Sequence, residues 1–148
     1  MTDVIDIGPL GPDDRGDWEI LARGYKTFYE TVEPDAAYGE TWQRLLDGEV
    51  IHGIGARIDG TLVGIAHYLF HATVWTGDTC YLQDLFVDEA ARGRGAARAL
   101  IMHVAADGAR RGASRLYWLT KQDNVRARAL YDAVADFRGF IRYERALT

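Results

Sequence analysis

Two glycines, Gly93 and Gly95, stand between an apolar run ending Leu85-Phe86-Val87 and an alanine-rich stretch that begins at Ala96. Where a strand gives way to a helix, the first backbone N–H groups of the helix lack partners and the positive end of its dipole faces outward, so an anion satisfies both. Glycine lets phosphate oxygens approach the backbone, and Arg92, Arg94 and Arg98 supply charge-assisted hydrogen bonds around it. The pattern is a pyrophosphate cradle. A nucleotide-binding P-loop does not fit, because no Gly-Lys-Ser/Thr follows; a dinucleotide turn does not fit, because position 98 is Arg rather than a third glycine. Downstream, Asn124 and Tyr131 are two helical turns apart and share a face. Periodicity alone makes Tyr131 a core residue of an Ala-Leu-Tyr-Val stripe. Asp84 follows Gln83 on an apolar strand, and Glu30, Glu33 and Asp35 form an acidic loop whose default reading is a solvated one. His67 and His71 share a strand face without a third ligand at metal spacing, so they read as polar strand residues and no metal site is expected.

These residues need a scaffold, and the apolar pattern supplies one. Val4 to Ile7 predicts a short strand stopped by Gly8-Pro9. Asp13 or Asp14 caps a helix to about Tyr29, with Trp18, Leu21, Ala22, Tyr25 and Phe28 on its inner face; a second helix covers Ala36 to Leu46. Val50 to Ile58 and Thr61 to Phe70 flank Asp59-Gly60, a strong hairpin signal, and Thr79 to Val87 gives a third antiparallel strand after Gly77-Asp78. The period then changes to helical from Gly95 to Gly112. Arg115 to Thr120 predicts a strand buried on both faces, Asp123 or Asn124 caps a helix carrying Ala127, Leu130, Tyr131 and Val134, and Phe140 to Ala146 predicts a closing strand. The order implies one α/β domain over residues 1–148 with a mixed sheet.

A chain of 148 residues with sixteen glycines and three prolines suits one core with several tight turns. Its net charge of −5 opposes sequence-independent binding to nucleic acid or an anionic membrane, so the arginines at 92, 94, 98, 110 and 111 point to a small, local anion. Cys80 has no partner for an internal disulfide, and the first residues lack a basic segment followed by a long apolar run, so a cytoplasmic setting is expected.

Arg92, Gly95 and Ala97, following Leu85-Phe86-Val87, match the Arg/Gln-x-x-Gly-x-Gly/Ala signature and resemble the GNAT superfamily of N-acetyltransferases. The stretch DGTLVGIAHYLFHATVWTGDTCYLQDLFVDEAARGRGAARAL resembles the central segment of the spermidine/spermine acetyltransferases, and YWLTKQDNVRARALYDAV resembles the second half of that group and of small amine or histone acetyltransferases. The resemblance implies a single-domain GNAT fold: a mixed central sheet flanked by helices, with splayed parallel strands holding acetyl-coenzyme A. It implies that Leu85, Phe86 and Val87 offer backbone groups to the pantetheine arm and thioester. The turn Arg92, Gly93, Arg94, Gly95, Ala96, Ala97 and Arg98 would meet the pyrophosphate, with Asn124 and Arg126 further along the cofactor. Tyr131 stands where the family has a tyrosine that protonates the departing thiolate. Glu30 and Gln83 would border a small-molecule amine, and the family expectation is a homodimer.

One position departs from the pattern. The relatives carry a Glu-Asp pair where this chain has Gln83-Asp84, and an amide accepts no proton. Asp84 through a water, His67 and Glu30 are the candidates for receiving the amine's proton. The expected activity is direct acetyl transfer to a polyamine, amino acid or other small primary amine. The alternatives are a non-catalytic acyl-coenzyme A sensor and a protein lysine acetyltransferase.

Overall fold

Asp59 and Gly60 both take positive φ, 51° and 79°, as a two-residue turn of matching twist requires, and Ile58 faces Thr61 across it. In the computed structural model, which describes residues 3–148, this hairpin is the centre of a five-stranded sheet ordered β1 (Ile5–Pro9), β2 (Ile51–Ile58), β3 (Thr61–His71), β4 (Thr79–Val87) and β5 (Leu116–Tyr117). The first four strands are antiparallel in sequence, and β5 joins β4 in parallel, so the sheet is mixed as expected.

Four helices cover the sheet: α1 (Arg15–Phe28), α2 (Asp35–Asp47), α3 (Ala96–Arg110) and α4 (Val125–Val134). Trp18, Leu21 and Ala22 of α1 and Tyr38, Trp42 and Leu45 of α2 form one core with Leu62 and Ile65. Leu100, Ile101 and Val104 of α3 form another with Ile54, Ala56, Ala66, Cys80 and Leu82. Dispersion and removal of apolar surface from water hold both. Asp107, buried in α3, accepts hydrogen bonds from the Tyr68 hydroxyl (2.7 Å) and Arg111 (3.0 Å), which ties α3 to β3. Among the described residues no helix is long and apolar enough to cross a membrane.

Several expectations shift. β1 runs through Gly8-Pro9, paired with Gly55 and Ile54, where a stop was expected, and Phe28 of α1 is half exposed rather than on the buried face. Arg115 to Thr120 yields only the two-residue β5, because pairing with β4 stops after Tyr81↔Tyr117 while β4 runs on to Val87. Phe140 to Ala146 forms no strand: residues 135–148 are exposed, and no strand edge lies alongside them.

Candidate active site

The end of β5 at Tyr117 leaves the β4 edge beyond Tyr81 without a strand partner among the described residues. A β-bulge sits just there. His67 pairs with Asp84 and Tyr68 with Leu82, so Gln83 is the extra residue, turned outward and exposed, while Asp84 turns inward. Below the bulge, Leu85, Phe86 and Val87 line a cleft of about 450 Å³.

The cleft's floor is the turn into α3. Gly93 and Gly95 hold φ of 81° and 92°, a region that costs residues with a Cβ, and the first hydrogen bond of the helix runs from the Ala99 N–H to the Gly95 carbonyl. The N–H groups of Ala96, Ala97 and Arg98 are thereby left free by helix geometry. Arg92 is fixed by donating Nε–H to the Val87 carbonyl (3.2 Å) and by its position over the Phe86 and Phe28 rings, 5.6 and 5.9 Å from their centroids. Arg94 turns away and pairs with Asp3 at 2.6 and 2.7 Å, outside the cleft lining.

Asn124, Arg126, Ala127, Leu130 and Tyr131 of α4 form the opposite wall. Asn124 begins the helix, its side chain donating to Thr120 Oγ1 (3.0 Å). Tyr131 stacks edge-on against Trp118, and burial, then the nearby Tyr29, pushes its phenol up to about 12. The turn into α3, the Leu85–Val87 end of β4 and Tyr131, distant in sequence, therefore face one cavity.

Asp84 lies beside this cleft in a network that the sequence did not announce. Its Oδ2 is 2.8 Å from His67 Nδ1, and His67 Nε2 accepts from the Trp18 indole N–H at 2.9 Å. Burial opposes ionisation of Asp84, but hydrogen bonding from His67, the neighbouring Tyr25 hydroxyl and the Lys26 charge outweigh it and hold the carboxyl below its ordinary value. Tyr25 donates to the Gln83 carbonyl at 3.4 Å, and burial followed by the Asp84 charge raises its phenol strongly. Tyr25 continues into Tyr29, ring centroids 4.9 Å apart, and Tyr29 lines the cleft. Glu30 is exposed at the end of α1 with a positive φ of 56°, away from Asp84's hydrogen-bond network. His71 bonds instead to the Tyr117 hydroxyl (2.8 Å), and among the described residues no group of three or more His, Cys, Asp or Glu is placed to hold a metal ion.

A model of the acetyltransferase (GNAT) family matches residues 18–137. The chain belongs to the GNAT family. It is an acyl-coenzyme A-dependent N-acetyltransferase, as the match and its named relatives show. It is 34% identical to a D-amino-acid N-acetyltransferase of Saccharomyces cerevisiae over 98% of this chain and 92% of that one. A thialysine N-epsilon-acetyltransferase of Bos taurus is 30% identical, over 80% of this chain and 69% of that one. Among solved structures, the aminoglycoside N-acetyltransferase AAC(6')-Iy in complex with CoA shares the fold, with a TM-score of 0.87, 19% identity, and coverage of 100% of this chain and 98% of that chain. A ribosomal-protein-alanine N-acetyltransferase of Brucella melitensis superposes with a TM-score of 0.81 at 27% identity, covering 97% and 99% of the two chains. The GNAT cradle fits a coenzyme A pyrophosphate on its own geometry: two positive-φ glycines, free helix amides and the Arg92 guanidinium converge on one cleft.

Proposed function

We propose that this enzyme transfers the acetyl group of acetyl-coenzyme A to a primary amine, whether an amino acid, a polyamine or another small amine, by direct attack while both molecules are bound. The observation that supports this most is one continuous cleft running from the free amides of α3 to the phenol of Tyr131. The amine-directed activities named for the relatives support the acceptor class.

On this reading the amides of Ala96, Ala97 and Arg98, with the Arg92 and Arg98 side chains, hold the pyrophosphate, and Gly93 and Gly95 admit it to the backbone. Arg94, paired with Asp3 outside the cleft, is left out of the cradle, and Asn124 and Arg126 meet the cofactor from α4. Bound acetyl-coenzyme A supplies an acyl group activated as a thioester. Backbone N–H groups between Leu85 and Val87, on the edge that β5 leaves open, polarise its carbonyl. Gln83 and Glu30, both exposed and outside the cleft lining, would meet an acceptor only at its outer rim. An amine with a lysine-like pKa needs about 4 to 5 kcal/mol to lose its proton at pH 7. The amine attacks in its neutral form, and Asp84 accepts the proton that the nitrogen sheds as the N–C bond forms, when that nitrogen has become far more acidic than the free ammonium. Tyr131 delivers its proton to the departing thiolate.

The test is thiol release from acetyl-coenzyme A against a panel of amino acids and polyamines, with cofactor binding measured in parallel. We expect at least one free amine to raise the rate well above the acceptor-free level. Tight binding with no such acceptor would remove the small-amine reading, and labelling of a lysine peptide in its place would redirect it to proteins. The proposal extends to a homodimer working in the cytoplasm, supported by the exposed apolar residues after α4 and the buried free thiol of Cys80.

A further inference from the structure

The hydrogen bonds beneath Asp84 run in one direction. Trp18 is 1% exposed, and its indole nitrogen is a donor with no acceptor capacity, so His67 Nε2, 2.9 Å away, must receive. The imidazole proton therefore sits on Nδ1, which faces Asp84 Oδ2 at 2.8 Å and donates to it. A second proton on His67 would set N–H against N–H at Trp18, which excludes His67 as the group that takes a proton from the acceptor. The three residues are 49 and 17 positions apart in the chain, on α1, β3 and β4, and His67 is itself buried.

We infer that Trp18 and His67 are positioning residues for acetyl transfer: Trp18 locks the His67 tautomer, and His67 fixes the Asp84 carboxylate through Oδ2, leaving Oδ1 to meet the attacking amine nitrogen. This rests on the proposed role of Asp84 as proton acceptor. The bulge at Gln83 is what makes the arrangement possible, because it brings Asp84 opposite His67 and rotates the preceding side chain to solvent. With Gln at position 83 unable to accept a proton, the bulge thereby keeps one oriented carboxylate on the strand next to Leu85, which lines the cleft. The proton leaves the amine for Oδ1 of Asp84, and no proton passes through the imidazole.

Two measurements test it. Nitrogen-resolved NMR of the substrate-free enzyme at neutral pH reads the tautomer without any turnover. We expect a proton on His67 Nδ1 and an acceptor-type Nε2, and a mixture of tautomers in Trp18→Phe; a protonated Nε2 in the parent enzyme overturns the inference. In kinetics, His67→Leu should lower kcat/KM for the amine about 10- to 100-fold, with KM for acetyl-coenzyme A within about twofold of the parent. His67→Asn, which keeps an N–H near the Nδ1 position, should recover most of that loss. Equal losses in both variants, with cofactor binding weakened alongside, mean that His67 is only packing and also overturn it. Asp84→Asn at the parent rate would instead remove the underlying role of Asp84, a failure that leaves the NMR result standing by itself and is recognised by that difference.

Discussion

Gln83 and Asp84 are adjacent, yet one side chain faces solvent and the other a Trp-His pair, so the chemistry of this strand is decided by a single bulged residue. Carboxylate and amide differ little in size; what separates them is that Asp84 can hold a charge and receive a proton. At the other end of the cleft, Tyr131 is the group proposed to give one up, in an environment that makes it a weaker acid than a free phenol. Burial lifts its phenol to about 12, so it stays protonated across the range in which an amine acceptor becomes increasingly neutral. We expect Tyr131→Phe to lower kcat about 100-fold or more with acetyl-coenzyme A binding nearly intact, since the ring and its contact with Trp118 remain. Calorimetric titration of the cofactor beside steady-state rates checks this, and an unchanged kcat would take Tyr131 out of the reaction.

The helices do more than cover the sheet. Gly24 in α1 leaves room for the Phe86 ring, whose atoms lie 2.9 Å from where a Cβ would stand, and Phe86 lines the cleft and sits under Arg92. Gly24→Ala should push that ring toward the cofactor side and raise KM for acetyl-coenzyme A several-fold, at a stability cost of about 1 to 3 kcal/mol. Thermal melts and cofactor titration measure the two effects, and an unchanged KM would show that the ring yields elsewhere. Coupling of this kind was not legible in the sequence, whereas much of the scaffold was. Asp59-Gly60 announced its turn because the backbone there must take positive φ at two successive residues, and the Trp18-Leu21-Ala22 spacing announced the buried face of α1. The cradle was readable because glycine, arginine and helix start are consecutive. The Trp18–His67–Asp84 chain was not, because its members belong to three elements and each looks ordinary in its own: a core Trp, a strand His, a strand Asp. Arg115 to Thr120 misled for a related reason, since a strand pattern reports burial and not whether a neighbouring strand stays within hydrogen-bonding distance.

At the scale of the whole molecule, the buried titratable groups set an alkaline limit. Burial pushes the Cys80 thiol up to about 11 and Tyr131 to about 12, and it raises Tyr25 and Tyr68 as well. Each group ionises more easily in the unfolded chain, so its contribution is complete below the unfolded pKa and is lost as pH rises through the folded one. At about 1.4 kcal/mol per pKa unit, the melting temperature should hold to about pH 9 and then fall by about 3 to 5 °C per unit displaced. Melting curves from pH 8 to 12 check this, and a flat profile to pH 12 would contradict it. The chain's other global feature is its end. After Ala135, Phe140 is 85% exposed, Ile141 74% and Tyr143 87%, in a sequence whose alternation suits a strand, while β5 presents an edge with no partner on its far side. Water is a poor solvent for such a segment, and an unpaired edge is a template for a strand from another chain. In the proposed homodimer a second copy would supply both halves reciprocally, each C-terminal segment adding to the other's β5 edge around a two-fold axis. We expect light scattering to give a dimer for the full chain at about micromolar concentration, and Phe140→Asp with Ile141→Asp to give a monomer that still binds acetyl-coenzyme A, because neither residue lines the cleft. A monomeric parent chain would contradict this arrangement.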